Sequence, residues 1–176
     1  MNDTVNDDPT TTVTFAEMEK EAPELAQRAR ERFAATGLSL VGTLRSDGWP
    51  RLSPVEPLIH EGQLYLGMMP ASTKSLDLGR DPRCLVHSTV GDKDGTEGEV
   101  KLYGLARRVT DVDEIERYCV ALEAVIDWRP QGPDDFDLWV VDIVRGAFMV
   151  FGSGDMRYVV WNAGDEPRTV TRPAPS

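Results

Sequence analysis

The sequence predicts a mainly β (α+β) fold, in which six to eight antiparallel strands form a closed or partly open barrel with flanking helices. Three observations predict it. Apolar and polar residues alternate along several short segments, Asp-Gly and Glu-Gly pairs separate two pairs of these segments, and helical spacing is confined to a few stretches. Strands joined by hairpins argue against a doubly wound parallel sheet.

The overall charge restricts the classes of partner. The 176 residues include 30 Asp and Glu against 19 Lys and Arg, which gives a net charge of −11. Nucleic-acid phosphates need a basic face, so we expect no nucleic-acid partner. An anionic ligand would need a local cluster of basic groups. The length predicts a single domain.

Cysteine and histidine are scarce. Cys84 and Cys119 form no Cys-x-x-Cys pair, so we expect free thiols in a reducing cytoplasm rather than a disulfide. No apolar run reaches about 18 residues and no secretion signal is visible, which predicts a cytoplasmic protein without a membrane partner. Only His60 and His87 are available, which argues against a multi-histidine site, and we expect no bound metal.

The chain divides into a domain between two tails. Residues 1–13 are polar without periodicity, which predicts a disordered N-terminal tail. The domain is expected over 14–161, and 162–176 are expected to be a C-terminal tail. Thr14 with Glu17 fits a capping box at the start of the leading helix, and a proline at position 23 could begin a second helical segment.

Strand patterning begins after the leading helix. Turns at 47–48 and 61–62 connect three expected strands, which lie roughly at 38–45, 49–60 and 63–69. Prolines at positions 50, 54 and 57 cannot donate ladder hydrogen bonds, so they place the middle strand at an edge or beside a bulge.

The second half of the chain alternates between helix patterns and strand patterns. A short helix, a strand and an acidic glycine-rich loop are expected in "TKSLDLGRD", "RCLVHSTV" and "GDKDGTEGE". A strand and an amphipathic helix follow in "VKLYGLARRVT" and "DVDEIERYCVALEAVI". Two strands parted near Arg145-Gly146 are expected in "FDLWVVDIVRGAFMVFGS", and the last strand in "MRYVVWNAG".

The short helix begins at Ser72-Thr73-Lys74, where the chemistry of the sequence is concentrated. A helix starting there would direct backbone N–H groups, two hydroxyls and an ammonium at one point, which is what a phosphate needs. Strand alternation places Arg51 and Ser53 on one face, from which the guanidinium could reach the same anion. The alternative interpretation is an ordinary helix cap with a solvated lysine.

The order of these parts resembles a known superfamily. "DGWPRLSPV", a Glu-Gly turn, "LYLG" and then "STKSLDLGRDPR" resemble the pyridoxamine 5'-phosphate oxidase-like FMN-binding split-barrel superfamily, and especially its small actinobacterial-type flavin and deazaflavin oxidoreductases. The resemblance covers about 15–161 and is strongest from Gly42 to Ser88. It implies a split β-barrel with the cofactor site between two protomers of a homodimer.

The resemblance also implies a set of site residues. Arg51, Ser72 and Lys74 would hold the cofactor phosphate, other residues would flank the ribityl chain and rings, and the partner protomer would supply Trp139. No catalytic side chain is identified. The complete implied cofactor-binding set is Arg51, Leu52, Ser53, Pro54, Val55, Gly67, Met68, Met69, Ser72, Thr73, Lys74, His87, Ser88 and Trp139.

Three departures from the superfamily pattern limit the expected activity. Glu56 stands where the oxidase has a basic residue, and Gly67-Met68 stand where it has a Tyr-Thr pair. The tryptophan-rich C-terminal signature with Arg and His is absent. Oxidation of pyridoxamine phosphate is therefore not expected. We predict an FMN-binding oxidoreductase that transfers hydride to or from an unidentified small molecule. The alternatives are a reductase dependent on F-420 (deazaflavin) and a non-catalytic flavin- or haem-binding split-barrel protein, whose haem ligand would be His60 or His87.

Overall fold

A computed structural model of the chain describes residues 11–130, 132–152 and 154–173. Within these ranges the predicted mainly β fold with flanking helices is confirmed, with nine strands rather than six to eight. The strands are β1 Ser39–Leu44, β2 Pro50–Val55, β3 Pro57–His60, β4 Gln63–Met68, β5 Arg83–Ser88, β6 Glu99–Arg108, β7 Asp137–Phe151, β8 Asp155–Asn162 and β9 Arg168–Pro173. The helices are α1 Phe15–Glu21, α2 Pro23–Thr36, α3 Thr73–Arg80 and α4 Val112–Ile126.

The strands form one antiparallel sheet that curls on itself. Its hydrogen-bonded order is β2-β1-β5-β6-β7-β4-β3, with β8 added to β7 and β9 added to β8. The strand β2 is at one end of this path and β3 is at the other, yet only Glu56 separates the two strands in the chain. Because one short segment joins both ends of the path, the sheet must curl into a barrel that is split along the gap between them.

The segment 49–60 is therefore two strands rather than the predicted one. β2 pairs with β1 and β3 pairs with β4, so the chain changes partner at Glu56. Pro54 and Pro57 flank this point and lack the N–H that a continuous ladder would use. The two hairpins themselves occur where the Asp-Gly and Glu-Gly turns predict them, with Gly48 and Gly62 in the left-handed region.

Two further expectations are corrected at the end of the chain. β7 is one strand of 15 residues, and Gly146 continues it instead of breaking it. A Cβ at Gly146 would lie 2.7 Å from a methyl of Leu25, so the lack of a side chain at this glycine leaves room for Leu25 of α2. In the expected C-terminal tail, β9 pairs with β8 because the turn at Gly164 closes a hairpin. Most of the expected N-terminal tail lies outside the described residues.

The leading helix is two helices, as the proline at position 23 allows. The predicted capping box is present: the Glu17 N–H donates to the Thr14 hydroxyl at 3.2 Å, and the Thr14 N–H donates to the Glu17 carboxylate at 2.7 Å. Phe15 and Leu25 bring α1 and α2 into the barrel core. None of the helices in the described ranges is long and apolar enough to cross a membrane.

Apolar side chains form two clusters. The larger fills the barrel between its strands and the first two helices, and it includes Val41 and Ile143. The smaller lies between α4 and the outside of β4 and β7, where Tyr65, Tyr118 and Val140 meet. Both cysteines of the chain are buried free thiols, as expected.

Part of the outside of the barrel carries apolar side chains that remain partly or largely exposed. We call this surface the outer face and define it by Leu40, Leu52, Leu85 and Tyr103. The strand registers β1–β2, β1–β5 and β5–β6 place these residues on adjacent strands β2, β1, β5 and β6. The barrel therefore has one side covered by α4 and one side without such a cover.

The bulge between β6 and β7 generates a prediction. A Cβ at Gly104 would lie 2.5 Å from the Asp142 carbonyl oxygen, so Gly104→Ala should lower the free energy of unfolding by about 1–3 kcal/mol through forced backbone movement. Gly42→Ala is the matched control, because its Cβ would meet ordinary contacts of 3.5 Å or more. Urea unfolding measures both, and equal effects would contradict the explanation.

Candidate functional site

Helix α3 crosses one end of the barrel and is fastened on one flank by Asp77. This carboxylate is only 4% exposed. Its Oδ2 accepts from Arg51 Nε of β2 at 2.6 Å and from the Thr43 hydroxyl of β1 at 3.0 Å. Its Oδ1 accepts from Arg80 at 3.1 Å. The network therefore joins the helix to the first hairpin.

The network contains more positive than negative charge. Burial opposes ionisation of the carboxyl, but hydrogen bonds from Arg51, Arg80 and Thr43 outweigh burial and hold the pKa of Asp77 below its ordinary value. The carboxylate is consequently negative at neutral pH. Two guanidinium groups share this single negative charge, which leaves one positive charge without a protein counterion in the network.

A second buried carboxylate, Asp137 of β7, fastens the other flank of α3. Its Oδ2 accepts from the Ala71 N–H at 3.0 Å and from the Ser75 hydroxyl at 2.5 Å. Its Oδ1 accepts from Arg108 of β6 at 2.5 Å. Trp139 Nε1 donates to the Ser75 oxygen at 3.1 Å, so the helix is tied to β7 by two residues, and Arg108 links Asp137 to β6.

Asp137 changes the interpretation of the helix start. An anion is favoured near a helix N-terminus, and this carboxylate of the chain itself already lies there. The N-terminus of α3 alone is thus not a sufficient reason to expect a phosphate. Whether a phosphate can bind there depends on the polar side-chain groups of Ser72 and Lys74.

Ser72 and Lys74 are both unpaired within the described residues. Ser72 is the N-cap of α3 but makes no capping bond, and its buried hydroxyl oxygen has no hydrogen-bond partner. Lys74 lies one helical turn before Asp77 and has no ion pair in the described part of the chain. We call the group of Arg51, Ser72, Lys74, Asp77 and Arg80 the basic corner.

The other residues predicted on β2 divide between two faces. Ser53 and Val55 point to the same side as Arg51, and Val55 is part of the barrel core. Leu52 and Pro54 point outwards and are exposed. Arg51, the first inward residue of this strand, contacts α3 through its hydrogen bond to Asp77.

The residues predicted on β4 lie in different surroundings. A Cβ at Gly67 would lie 2.4 Å from the Tyr118 hydroxyl of α4, so this glycine is a packing position for that helix. Met68 is buried in the barrel core, whereas Met69 is 75% exposed on the connection to α3. Thr73 is exposed in the first turn of α3.

His87 and Ser88 have local partners. The Ser88 hydroxyl accepts from the Val100 N–H at 3.0 Å. His87 Nδ1 lies 2.5 Å from the Ser88 carbonyl oxygen, and its Nε2 lies 3.4 Å from Glu99. None of these contacts joins either residue to the basic corner. Trp139, expected from a partner protomer, is buried behind α3 of its own chain.

Sequence reasoning missed both carboxylates that fasten α3. Asp77 gave a weak signal, since it follows Lys74 by three residues and so shares a helix side with it. Asp137 gave none, because 62 residues separate it from Ser75 and only the pairing of β7 with β4 brings them together. Tyr118 was equally invisible as the neighbour of Gly67.

A groove of about 810 Å³ follows the Asp137 flank of α3. It is lined by Ala71, Ser75, Leu76, Leu78, Gly79, Arg80, Pro82, Ala106, Arg108, Asp137 and Trp139. The lining combines apolar side chains with two arginines and one carboxylate, a combination found in sites for small organic molecules. No group of three or more potential metal ligands occurs among the described residues.

Comparison with solved structures identifies the fold. The chain is similar to a haem-binding protein from Mycobacterium smegmatis, with 24% identity and a TM-score of 0.58 over 86% of this chain and 58% of that one. It is similar to a protein of Clostridium acetobutylicum related to general stress protein 26, of the pyridoxinephosphate oxidase family, with 16% identity and a TM-score of 0.59 over 78% of this chain and 93% of that one. A NimC/NimA family protein from the same organism has 16% identity and a TM-score of 0.55 over 82% and 92%.

These similarities, together with the barrel and α3, show that the chain has the same split-barrel fold as these proteins. The fold that the sequence resemblance implied is confirmed. No protein-family model and no curated protein matches the chain. The chain also spans less than two thirds of the mycobacterial haem-binding protein.

The lowered pKa of Asp77 predicts how acid affects stability. A carboxyl whose pKa is lower in the folded protein contributes stability above its unfolded value of about 3.9, and that contribution disappears as the pH falls through the folded pKa. The difference in unfolding free energy between the unaltered protein and Asp77→Asn should be largest near neutral pH and shrink below about pH 3.9. Urea unfolding at several pH values measures it, and a difference that grows in acid would contradict the assignment.

Proposed function

We propose that the protein is an FMN-binding oxidoreductase that holds the FMN phosphate at the basic corner. The observation that carries this proposal is the positive charge of the corner. Arg51, Arg80 and Lys74 contribute three positive charges against the one negative charge of Asp77. A phosphate monoester carries about −1.5 to −2 at neutral pH, which matches this surplus.

The donors in the corner also fit a phosphate. Arg51 uses Nε for Asp77, and its terminal nitrogens make no hydrogen bond within the described ranges. The buried Ser72 hydroxyl lacks a partner, and a group in that situation costs free energy until a ligand or water satisfies it. Together with the Lys74 ammonium, these groups supply donors of the kind that bind phosphate oxygens.

Bound FMN supplies two-electron hydride chemistry. The residues of the chain bind and orient it: the basic corner fixes the phosphate, and the contacts of Asp77 with β1 and β2 fix the position of the corner. The substrate that we propose is a small organic molecule. The groove along the Asp137 flank of α3 is wide enough to hold one.

An F-420-dependent activity has less support. The longer anionic tail of F-420 would need further unpaired basic residues near the corner. Arg45 pairs with Asp47 at 3.1 Å and Arg83 pairs with Asp81 at 2.6 Å, so both already have a counterion. FMN, whose single phosphate needs only the corner, is the better match.

Haem binding also has less support from this chain, although one similar structure is of a haem-binding protein. An axial ligand needs a histidine nitrogen that can leave its present partner. Both nitrogens of His87 have partners, in the Ser88 carbonyl and Glu99. Nε2 of His60 lies 3.7 Å from Glu61 beside the hairpin turn.

We further propose that the protein acts as a homodimer with the cofactor site at the subunit interface. The apolar side chains of the outer face support this arrangement, since Leu52 is exposed and Leu85 is partly exposed. Apolar surface of this kind is stabilised when a second copy covers it. Arg51 and Leu52 are adjacent on β2 and point to opposite sides of the sheet, so the basic corner and the proposed interface share this strand.

The phosphate assignment predicts the behaviour of two variants. Arg51→Ala and Lys74→Ala should each weaken FMN binding by roughly 10- to 100-fold, because each removes a charge-assisted hydrogen bond worth about 1.5–3 kcal/mol. A fluorescence titration with FMN, run in parallel with F-420 and haem, measures the affinities.

Matched controls make this titration specific. Lys20→Ala, on the exposed side of α1, and Arg28→Ala, on α2, remove equal charges outside the basic corner and should leave the affinity unchanged within about twofold. Tight FMN binding that survives both corner variants would contradict the phosphate site. Binding of haem or F-420 in place of FMN would replace the cofactor assignment.

The dimer assignment predicts the effect of a charge on the outer face. Leu85→Glu should convert the dimer to a monomer, because a desolvated carboxylate at an apolar interface is strongly unfavourable. Val170→Glu on the exposed strand β9 is the control and should remain dimeric. Light scattering after size-exclusion chromatography measures the mass. A monomeric unaltered protein would refute the proposal.

A further inference from the structure

We propose that Asp77 is a positioning residue for the anion of the basic corner. Its carboxylate holds Arg51 by the Nε atom, so that the two terminal nitrogens of the guanidinium are presented to a bound phosphate. This inference rests on the proposed function of the corner and adds a residue that neither the motif nor the fold similarity assigns.

The geometry of the Arg51 contact is the first reason. Asp77 Oδ2 accepts from Nε at 2.6 Å, and the same oxygen is fixed by the Thr43 hydroxyl at 3.0 Å. A bond at Nε restricts the orientation of the guanidinium and leaves the edge formed by its two terminal nitrogens available. That edge can donate to two phosphate oxygens at once.

The charge of the network is the second reason. Asp77 pairs with Arg51 at 2.6 Å and with Arg80 at 3.1 Å, so two guanidinium groups face one carboxylate. One negative charge cannot neutralise both, and the pair with Arg51 therefore retains a share of positive charge that a bound phosphate could neutralise.

Preorganisation is the third reason. An arginine side chain has many rotamers, and holding one of them before the ligand arrives reduces the entropy lost on binding. Asp77 is buried and belongs to α3, the same helix that carries Ser72 and Lys74. Its position therefore sets Arg51 relative to the other donors of the corner.

The alternative roles of Asp77 predict different effects of its replacement on FMN binding. If the carboxylate acted only as a nearby negative charge, Asp77→Asn would make the corner more positive and tighten FMN binding. If it only fastened α3, its loss would reduce stability, as would loss of Asp137 on the other flank, without a specific effect on FMN. A positioning residue should weaken FMN binding when replaced, and only while Arg51 is present.

The test is a double-mutant cycle in the FMN affinity of the intact protein, measured by fluorescence titration. We expect Asp77→Asn to weaken FMN binding at least fivefold although it removes a negative charge from the corner. In the Arg51→Ala background the same substitution should change the affinity by less than twofold. Asp137→Asn is the control for loss of fastening alone: it should lower stability in urea without weakening FMN binding, because it removes a negative charge near the start of α3.

A second variant keeps the test decisive if Asp77→Asn folds poorly. Arg51→Lys keeps the positive charge but has a single nitrogen, which Asp77 would engage. We expect it to bind FMN within threefold of Arg51→Ala, and an affinity close to that of the unaltered protein would overturn the inference. Unchanged or tighter FMN binding by Asp77→Asn, or equal effects of it in both backgrounds, would overturn it too.

Failure of the underlying function gives a different result. If the unaltered protein does not bind FMN at all, the proposed function is wrong and the positioning role falls with it. If the unaltered protein binds FMN and the cycle shows no coupling between Asp77 and Arg51, the phosphate site stands and only the positioning role is refuted.

Discussion

Two buried carboxylates, Asp77 and Asp137, hold helix α3 across the end of the barrel, and the candidate site depends on this attachment. Each receives hydrogen bonds from strands that are distant in the chain, so neither flank of the helix can move without breaking several bonds. An eight-residue helix has little stability of its own. Its position, and that of Ser72 and Lys74, therefore follows from these tertiary contacts.

The two flanks of α3 each have a buried aspartate, but the two carboxylates have different effects on anion binding. On one flank, the Asp137 carboxylate occupies the start of the helix and satisfies groups that an external anion could otherwise have used. On the other flank, Asp77 shares its charge with two arginines and leaves positive charge over. The distribution of carboxylates thus restricts an anion to the Arg51 side of α3.

Local signals in the sequence predicted much of the fold. The Thr14 capping box and the two Gly-containing turns depend on neighbouring residues, and the structure has each of them in place. The change of partner at Glu56 and the continuity of β7 through Gly146 depend on which strands lie alongside, and sequence patterning does not contain that information. For the same reason the site was only partly predictable. Lys74 and Arg51 were visible in motifs, whereas the contact of Arg51 with Asp77 and the position of Asp137 at the start of α3 arise only from tertiary packing.

The junction at Glu56 has a consequence for the dynamics of the barrel. Neighbouring strands elsewhere along the path share a ladder of backbone hydrogen bonds, but β2 and β3 belong to different ladders at opposite ends of it. Opening the barrel along this seam would leave those ladders intact, so it should cost less free energy than separating any other pair of neighbours. Slow amide hydrogen exchange would then be concentrated in β5, β6 and β7, and the first hairpin, which carries Arg51, would be the part of the wall that opens most readily.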